Sequence, residues 1–259
     1  MLPPQNLVSL ARALGDPKYD LAILAEGNCS ARGGSGTFWV KASGRSMVDA
    51  GPQSFVSMQS QTVAEALDQS FADDRSVRAA LDRARVDPTA SQVASTEAFM
   101  HAWLLGLDGI EFVGHTHPTD LLALLATDEA ERIAGLRLFP DEIVCCGPAT
   151  CWVAYVMPGL LLARAIRTRV EEFRERLGIL PKTIWLQNHG LIALGSSPSE
   201  VMSASLMTVK AARVWLGALA TQKSLKTLTN EEIAQIYQWP DEHFRQKQMW
   251  ANDGSAGGE

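Results

Sequence analysis

Apolar positions recur along this chain with two periods, one helical and one alternating, and segments of the two kinds interleave. Leu7, Leu10, Ala11 and Leu14 follow helical spacing over residues 5–14, and Gly15-Asp16-Pro17 ends the run. The glycine- and serine-rich stretch 27–36 reads as a loop. Thr37-Phe38-Trp39-Val40-Lys41 and Phe55-Val56-Ser57-Met58 read as strands, with a turn at Ala42-Ser43-Gly44-Arg45 after the first. Helices are predicted near 60–69 and 74–84. A loop over 88–95 leads into a helix opened by Ser95-Thr96-Glu97 and closed by Gly106. Helical segments near 119–126 and 128–134 precede strand candidates at 143–146 and 150–156. An amphipathic helix spans 160–177 and ends at Gly178. Strands near 183–187 and 190–194 follow, and 198–221 is the last long helix. No composition break or internal repeat divides the chain, so one α/β or α+β domain around a central sheet is predicted over 1–251. The small polar tail from Asn252 (252–259) is expected to be disordered.

On this scaffold three histidines stand out. Two occur in Gly114-His115-Thr116-His117-Pro118 and the third in Gln187-Asn188-His189-Gly190, although the whole chain holds only five histidines. Residues 109–114 read as a short strand, and side chains two apart on a strand point the same way. His115 and His117 can therefore aim at one point, and Pro118 places them at a strand end. His189 sits where the strand-like run Thr183-Ile184-Trp185-Leu186 meets a turn signature. A lone His-x-His pair commonly binds nothing. Three protein ligands with an open position would form a catalytic rather than a structural zinc site.

Composition narrows the partners. Hydrophobic residues make up 46% and charged residues 20%, ordinary for a water-soluble globular chain. A net charge of −6 and a pI of about 5.4 leave no basic field for nucleic acid. Cys29, Cys145, Cys146 and Cys151 lack CxxC spacing and are expected to be buried free thiols in a reducing cytoplasm. No basic stretch followed by an apolar segment marks a secretory leader at the N-terminus. Apolar runs such as 121–126 are too short to span a bilayer, so no membrane partner is expected.

A second group of residues suits an anion. Gly27-Asn28-Cys29-Ser30, Ser43-Gly44 and Ser95-Thr96 offer small donors, close backbone approach and a helix start, which together fit a phosphate. Each piece alone also fits an ordinary turn or cap. Glu97 near the helix start either complements the helix dipole or faces the histidines' cleft, where it could bind a metal or move a proton.

Taken together these segments resemble the class II aldolase/adducin family. Its enzymes include fuculose-1-phosphate and rhamnulose-1-phosphate aldolases and ribulose-5-phosphate 4-epimerases. The resemblance rests on Gly27-Asn28-Cys29-Ser30-Ala31-Arg32, Lys41-Ala42-Ser43-Gly44, Ser95-Thr96-Glu97, His115-Thr116-His117-Pro118 and Asn188-His189-Gly190, in the family's order over residues 5–220. It implies a three-layer α/β/α domain around a mostly antiparallel sheet, assembled as a homotetramer. It further implies zinc on His115, His117 and His189, with another divalent transition metal as an alternative. Glu97 would be the acid/base, and Asn28, Ser43, Gly44, Ser95 and Thr96 would hold a sugar phosphate. The implied reaction is cleavage of a ketose 1-phosphate to dihydroxyacetone phosphate and an aldehyde. A 4-epimerase, a sugar-acid-phosphate decarboxylase and a non-catalytic adducin-like module are the alternatives. The chain departs from the aldolase pattern in its tyrosines. Only Tyr19, Tyr155 and Tyr237 occur, and none aligns clearly with the catalytic tyrosine that a neighbouring subunit lends in the family. Asp120 is the nearest acidic residue after the pair and reads as a first-turn helix residue.

Overall fold

Seven strands form one sheet in a computed structural model that describes residues 2–239. The expected tail at 252–259 and the end of the expected domain at 251 lie outside the described residues. The strands are β1 (Asn28–Arg32), β2 (Thr37–Lys41), β3 (Phe55–Gln59), β4 (Phe112–Thr116), β5 (Cys151–Val153), β6 (Thr183–Leu186) and β7 (Gly190–Gly195). Their order is β3-β2-β1-β4-β7-β6-β5, and every pairing is antiparallel except β5 with β6. The helices are α1 (Gln5–Leu14), α2 (Ser60–Glu65), α3 (Asp74–Arg83), α4 (Ala98–Leu105), α5 (Thr119–Leu125), α6 (Ala130–Ala134), α7 (Pro140–Cys146), α8 (Leu160–Leu177), α9 (Pro198–Ala220) and α10 (Asn230–Gln238).

Alternation along the strands sends side chains into two cores, which makes the three-layer α/β/α architecture. Val113, Ile184, Leu186, Ile192 and Leu194 pack with Phe99, Leu104 and Ile166 of α4 and α8. On the other face Cys29, Ala31 and Ala193 meet Leu7 and Leu14 of α1 and Val201 of α9. Trp185 and Leu191 extend that face to Leu121 of α5 and Trp215 of α9. Burying each such leucine or tryptophan contributes ~1.5–3 kcal/mol or more before the entropy of ordering is subtracted. Among the described residues no helix is long and apolar enough to cross a membrane. All four cysteines are buried free thiols, and burial pushes the Cys29 and Cys146 thiols up to about 12.

Two sequence expectations fail. The 27–36 stretch is not all loop, because 28–32 is β1, a strand between β2 and β4. Its alternation is hidden because Asn28 and Ser30 on one face are buried polar groups satisfied by polar partners. Residues 143–146 are not a strand. They end α7, which Pro140 opens at its first position with Asp141 and Glu142 in the first turn. Glu97, expected in the opening of its helix, is the residue immediately before α4.

Candidate metal centre

The sheet register assembles the site. On β4, Val113 and His115 share the face toward α4, and Val113 lies in that core. Across the antiparallel ladders Asn28 pairs with His115, which pairs with Ile192 on the far side. His117 follows the strand end, fixed by its N–H donating to the Leu21 carbonyl at 2.8 Å. The β6–β7 connection is a three-residue hairpin between the paired Leu186 and Gly190. Its middle residue, Asn188, takes φ 51°, the left-handed region that asparagine tolerates. The His189 N–H donates to the Leu186 carbonyl at 3.1 Å.

Gly190 permits this closeness. A Cβ there would lie 2.7 Å from Cδ2 of His117 and closer still to the Thr116 carbonyl oxygen. Gly27, at φ +64°, is constrained similarly: its Cβ would stand 2.7 Å from the His115 carbonyl oxygen.

The three imidazoles converge through their Nε2 atoms. His115 Nε2 lies 3.1 Å from His117 Nε2 and 3.3 Å from His189 Nε2. Glu97 Oε1 stands 3.3 Å from His189 Nε2 and 3.6 Å from His115 Nε2. Bonds of ~2.0–2.1 Å to a tetrahedral ion imply ligand-to-ligand edges of ~3.3–3.4 Å. The two edges from His115 lie near that length, and all three ligand atoms lie within 4.8 Å of one another, close enough to share a divalent transition ion. Among the described residues the trio is the group of this kind able to hold one.

Two of the three second ring nitrogens agree with that fit. His115 Nδ1 is 2.9 Å from the Leu191 carbonyl oxygen, to which it must donate, so the Nε2 lone pair is free. His117 Nδ1 sits 3.3 Å from Glu26 Oε2, a carboxylate–histidine pair. Nδ1 of His189 is buried without a partner. Burial pushes the His115 imidazole down to about 3, against the opposing charge of Glu97, and burial also lowers His117. Neutral imidazoles are the ligating form. For Glu97, burial alone would raise the carboxyl. The His115 and His189 rings and the Asn28 amide outweigh it and hold the group below the ordinary carboxylate range.

The expected phosphate residues are not all gathered. Asn28 is buried and its Nδ2 donates to Glu97 Oε2 at 2.6 Å. Ser43 and Gly44 lie on an exposed turn, Gly44 at φ +70°, and the Ser43 N–H donates to the Val93 carbonyl at 2.8 Å. That bond lays the turn beside the segment carrying Ser95, whose Oγ accepts from the Glu97 N–H at 3.3 Å. Thr96 turns elsewhere: it is exposed, packs by Gly159 and borders a cavity of about 630 Å³ with Phe71, Val77 and Met157.

Three residues at the site were given no role in the sequence reading. Glu26 buttresses His117, and His101 joins Asn28. Lys41, buried on β2, donates to the Ala25 and Arg45 carbonyls and so ties the approach to Asn28 to the Ser43-Gly44 turn. Signals existed for two of them: His101 lies one helical turn from Glu97, and Glu26 abuts Gly27-Asn28. Of the tyrosines, Tyr237 borders a cavity with Pro148 and Arg176, beyond the strand ends opposite the site. Tyr155 is 53% exposed, and its N–H donates to the side chain of Gln187, in the hairpin that carries His189. Asp120 pairs with Arg213 at 2.5 Å, in line with its reading as a helix residue.

Comparison with known proteins agrees with this architecture. Residues 5–216 match the family described as Class II Aldolase and Adducin N-terminal domain. The chain is similar to the N-terminal class II aldolase domain of a conserved protein from Thermoplasma acidophilum, at 22% identity and a TM-score of 0.65, covering 82% of this chain and 92% of that one. It is similar to L-fuculose-1-phosphate aldolase from Thermus thermophilus, at 18% identity and a TM-score of 0.60, covering 87% and 100%. It is also similar to a sugar-phosphate aldolase from Thermotoga maritima, at 15% identity and a TM-score of 0.60, covering 85% and 97%. No curated protein matches the chain.

Proposed function

Because the chain belongs to the class II aldolase and adducin family, we propose that it is a zinc-dependent lyase cleaving a ketose 1-phosphate to dihydroxyacetone phosphate and an aldehyde. The observation that supports this most is the convergence on His115 Nε2 of His117 Nε2, His189 Nε2 and the Glu97 carboxylate, at 3.1–3.6 Å. A scaffold in the adducin manner has no need of three convergent imidazoles beside a buried carboxylate.

His115, His117 and His189 hold the ion. When bound, it supplies Lewis acidity at the substrate's carbonyl and hydroxyl oxygens and offsets the negative charge left as the C3–C4 bond breaks. Glu97 moves the proton. In the condensing direction its carboxylate takes the proton from the carbon beside the carbonyl, and the C–H electron pair passes into the enediolate. In the cleaving direction the C4 hydroxyl gives up its proton as the aldehyde forms, and the C3–C4 electron pair passes into the enediolate. The Glu97 carboxyl delivers a proton to its carbon, so that one proton leaves oxygen and one reaches carbon. Asn28, which already donates to Glu97, fixes the carboxylate and offers its second N–H to the substrate. Ser43, Gly44 and Ser95, with Thr96 at the margin, bind the phosphate, whose binding energy is remote from the breaking bond. The protein acts in the cytoplasm as a homo-oligomer, a tetramer by family resemblance.

Two measurements test the reading. Metal is quantified in the purified protein, and a panel of phosphorylated ketoses is then assayed for cleavage with products followed by NMR. Two fragments from one ketose are expected. A single rearranged product would mark an epimerase, carbon dioxide from a phosphorylated sugar acid added to the panel would mark a decarboxylase, and no turnover of any of them with zinc bound would reject all three.

A further inference from the structure

One buried histidine takes no part in the metal trio, and its surroundings determine its tautomer. His101 lies on α4 with no exposed surface. Its Nε2 faces Asn28 Oδ1, and its Nδ1 lies 2.6 Å from Ser30 Oγ. Asn28 and Ser30 are two apart on β1 and so point to the same side of the sheet, toward α4.

The direction of every bond follows from one end. The Glu97 carboxylate can only accept, so the Asn28 group at 2.6 Å from it must be the amide nitrogen. The amide oxygen then faces His101, so His101 Nε2 must carry a hydrogen. A neutral ring so protonated has a bare Nδ1, and Ser30 must donate to it. Burial supports the neutral ring, pushing His101 down to about 4 against the pull of Glu97. Donation therefore runs Ser30 to His101 to Asn28 to Glu97, and one amide N–H of Asn28 remains for a substrate oxygen.

We propose that His101 is a positioning residue, which with Ser30 locks the Asn28 amide so that its N–H groups face Glu97 and the substrate. Without it nothing among the described contacts stops the amide from turning its oxygen toward the carboxylate, where two acceptors would repel. The inference rests on Glu97 as the proton-moving group, but its structural half can be measured without turnover.

The first experiment is NMR of the zinc-loaded full chain labelled with ¹⁵N-histidine. The expected result is a neutral His101 ring protonated at Nε2, with a slowly exchanging hydrogen. A ring protonated at Nδ1, or one exchanging freely, overturns the proposal. The second follows hydrogen exchange of dihydroxyacetone phosphate in D₂O, a half-reaction that needs no aldehyde. His101→Leu is expected to slow exchange at saturating substrate by about 10- to 100-fold, the range seen when partners outside the first coordination shell are lost, with zinc content unchanged. His101→Gln, which can place an N–H near the Nε2 position, is expected to recover most of that loss, and Ser30→Ala to lose less than His101→Leu. Wild-type exchange by zinc-loaded His101→Leu would overturn the proposal. Should the wild type itself show no exchange, the aldolase reading fails and the tautomer alone decides for or against His101.

Discussion

Gly190→Ala tests whether backbone closeness at the β4–β7 seam sets the metal centre. The added methyl would stand 2.7 Å from Cδ2 of His117 and against the Thr116 carbonyl oxygen. The first neighbour is a ligand ring and the second is backbone, so neither can swing aside cheaply. Overpacking of this kind costs ~1–3 kcal/mol. At about 2 kcal/mol the metal-free protein should melt ~4–8 °C lower, since each kcal/mol shifts a chain of this size by ~2–4 °C. Displacing the His117 ring should also weaken zinc by about 10- to 100-fold. Zinc stabilises the folded chain in proportion to the logarithm of its affinity, so that weakening removes a further ~1.4–2.7 kcal/mol, or ~3–11 °C, in excess zinc. Thermal unfolding with and without zinc, together with a chelator competition, reads both quantities. Gly217→Ala is the control: it lies in α9 with nothing within 4 Å of the new carbon, so it should hold or raise the melting temperature. A Gly190→Ala protein that loses stability equally with and without zinc would refute the claim that this glycine shapes the ligand shell.

Glu97→Gln should fold and keep its zinc but lose exchange of dihydroxyacetone phosphate in D₂O; full exchange would remove Glu97 from the proton transfer. Glu26→Gln, which takes the carboxylate from beside His117 Nδ1, should weaken zinc about tenfold by chelator competition, and an unchanged affinity would show that the pair does not support the ligand. Stability of the metal-free protein should also fall with acid. His101 has its folded value near 4, below the usual 6.5, so between those values the unfolded chain binds the extra proton. The His101 contribution is therefore intact above pH 6.5 and is lost toward pH 4, at a slope of up to ~1.4 kcal/mol per pH unit. Denaturant titrations at stepped pH should show a shallower fall for His101→Gln; equal slopes in both proteins would contradict the buried neutral ring.

The parts of the fold that were legible in the sequence are those where periodicity and a stop signal coincide. The helix predicted over 160–177 is α8, ended by Gly178 in the left-handed conformation. The helix predicted over 198–221 is α9 to within a residue. Legibility failed where burial was polar or where an apolar run was too short to show a period. Strand β1 buries Asn28 and Ser30 on one face and Cys29 and Ala31 on the other, so it looks like a turn to a rule that counts apolar alternation. Ile143-Val144-Cys145-Cys146 looks like a strand for the opposite reason, and the stronger signal was Pro140-Asp141-Glu142 at the helix start. Helix α10 went unread although Thr229 and Glu232 form a capping box at its start.

At the site the local signals were legible and the long-range ones were not. A two-residue spacing on a strand is enough to align His115 with His117, and Asn-His-Gly is enough to mark a turn. What no spacing contains is the antiparallel register that sets Asn28 opposite His115 and the β6–β7 hairpin alongside. That register explains why the residues missed were those that act on other residues rather than on a ligand. Glu26, Lys41 and His101 have meaning only through His117, the Ala25 and Arg45 carbonyls, and Asn28. Glu97 and His101 nonetheless sit four residues apart across the first turn of α4, so both can face β1. A Glu-x-x-x-His spacing at a helix start, beside a strand whose polar residues alternate as Asn28 and Ser30 do, is therefore a signal in its own right. The strand presents one polar side chain to each of the two helical groups. This pairing of two periods adds the Asn28 hydrogen bond to the His115 and His189 rings, and together they hold the buried Glu97 carboxylate charged.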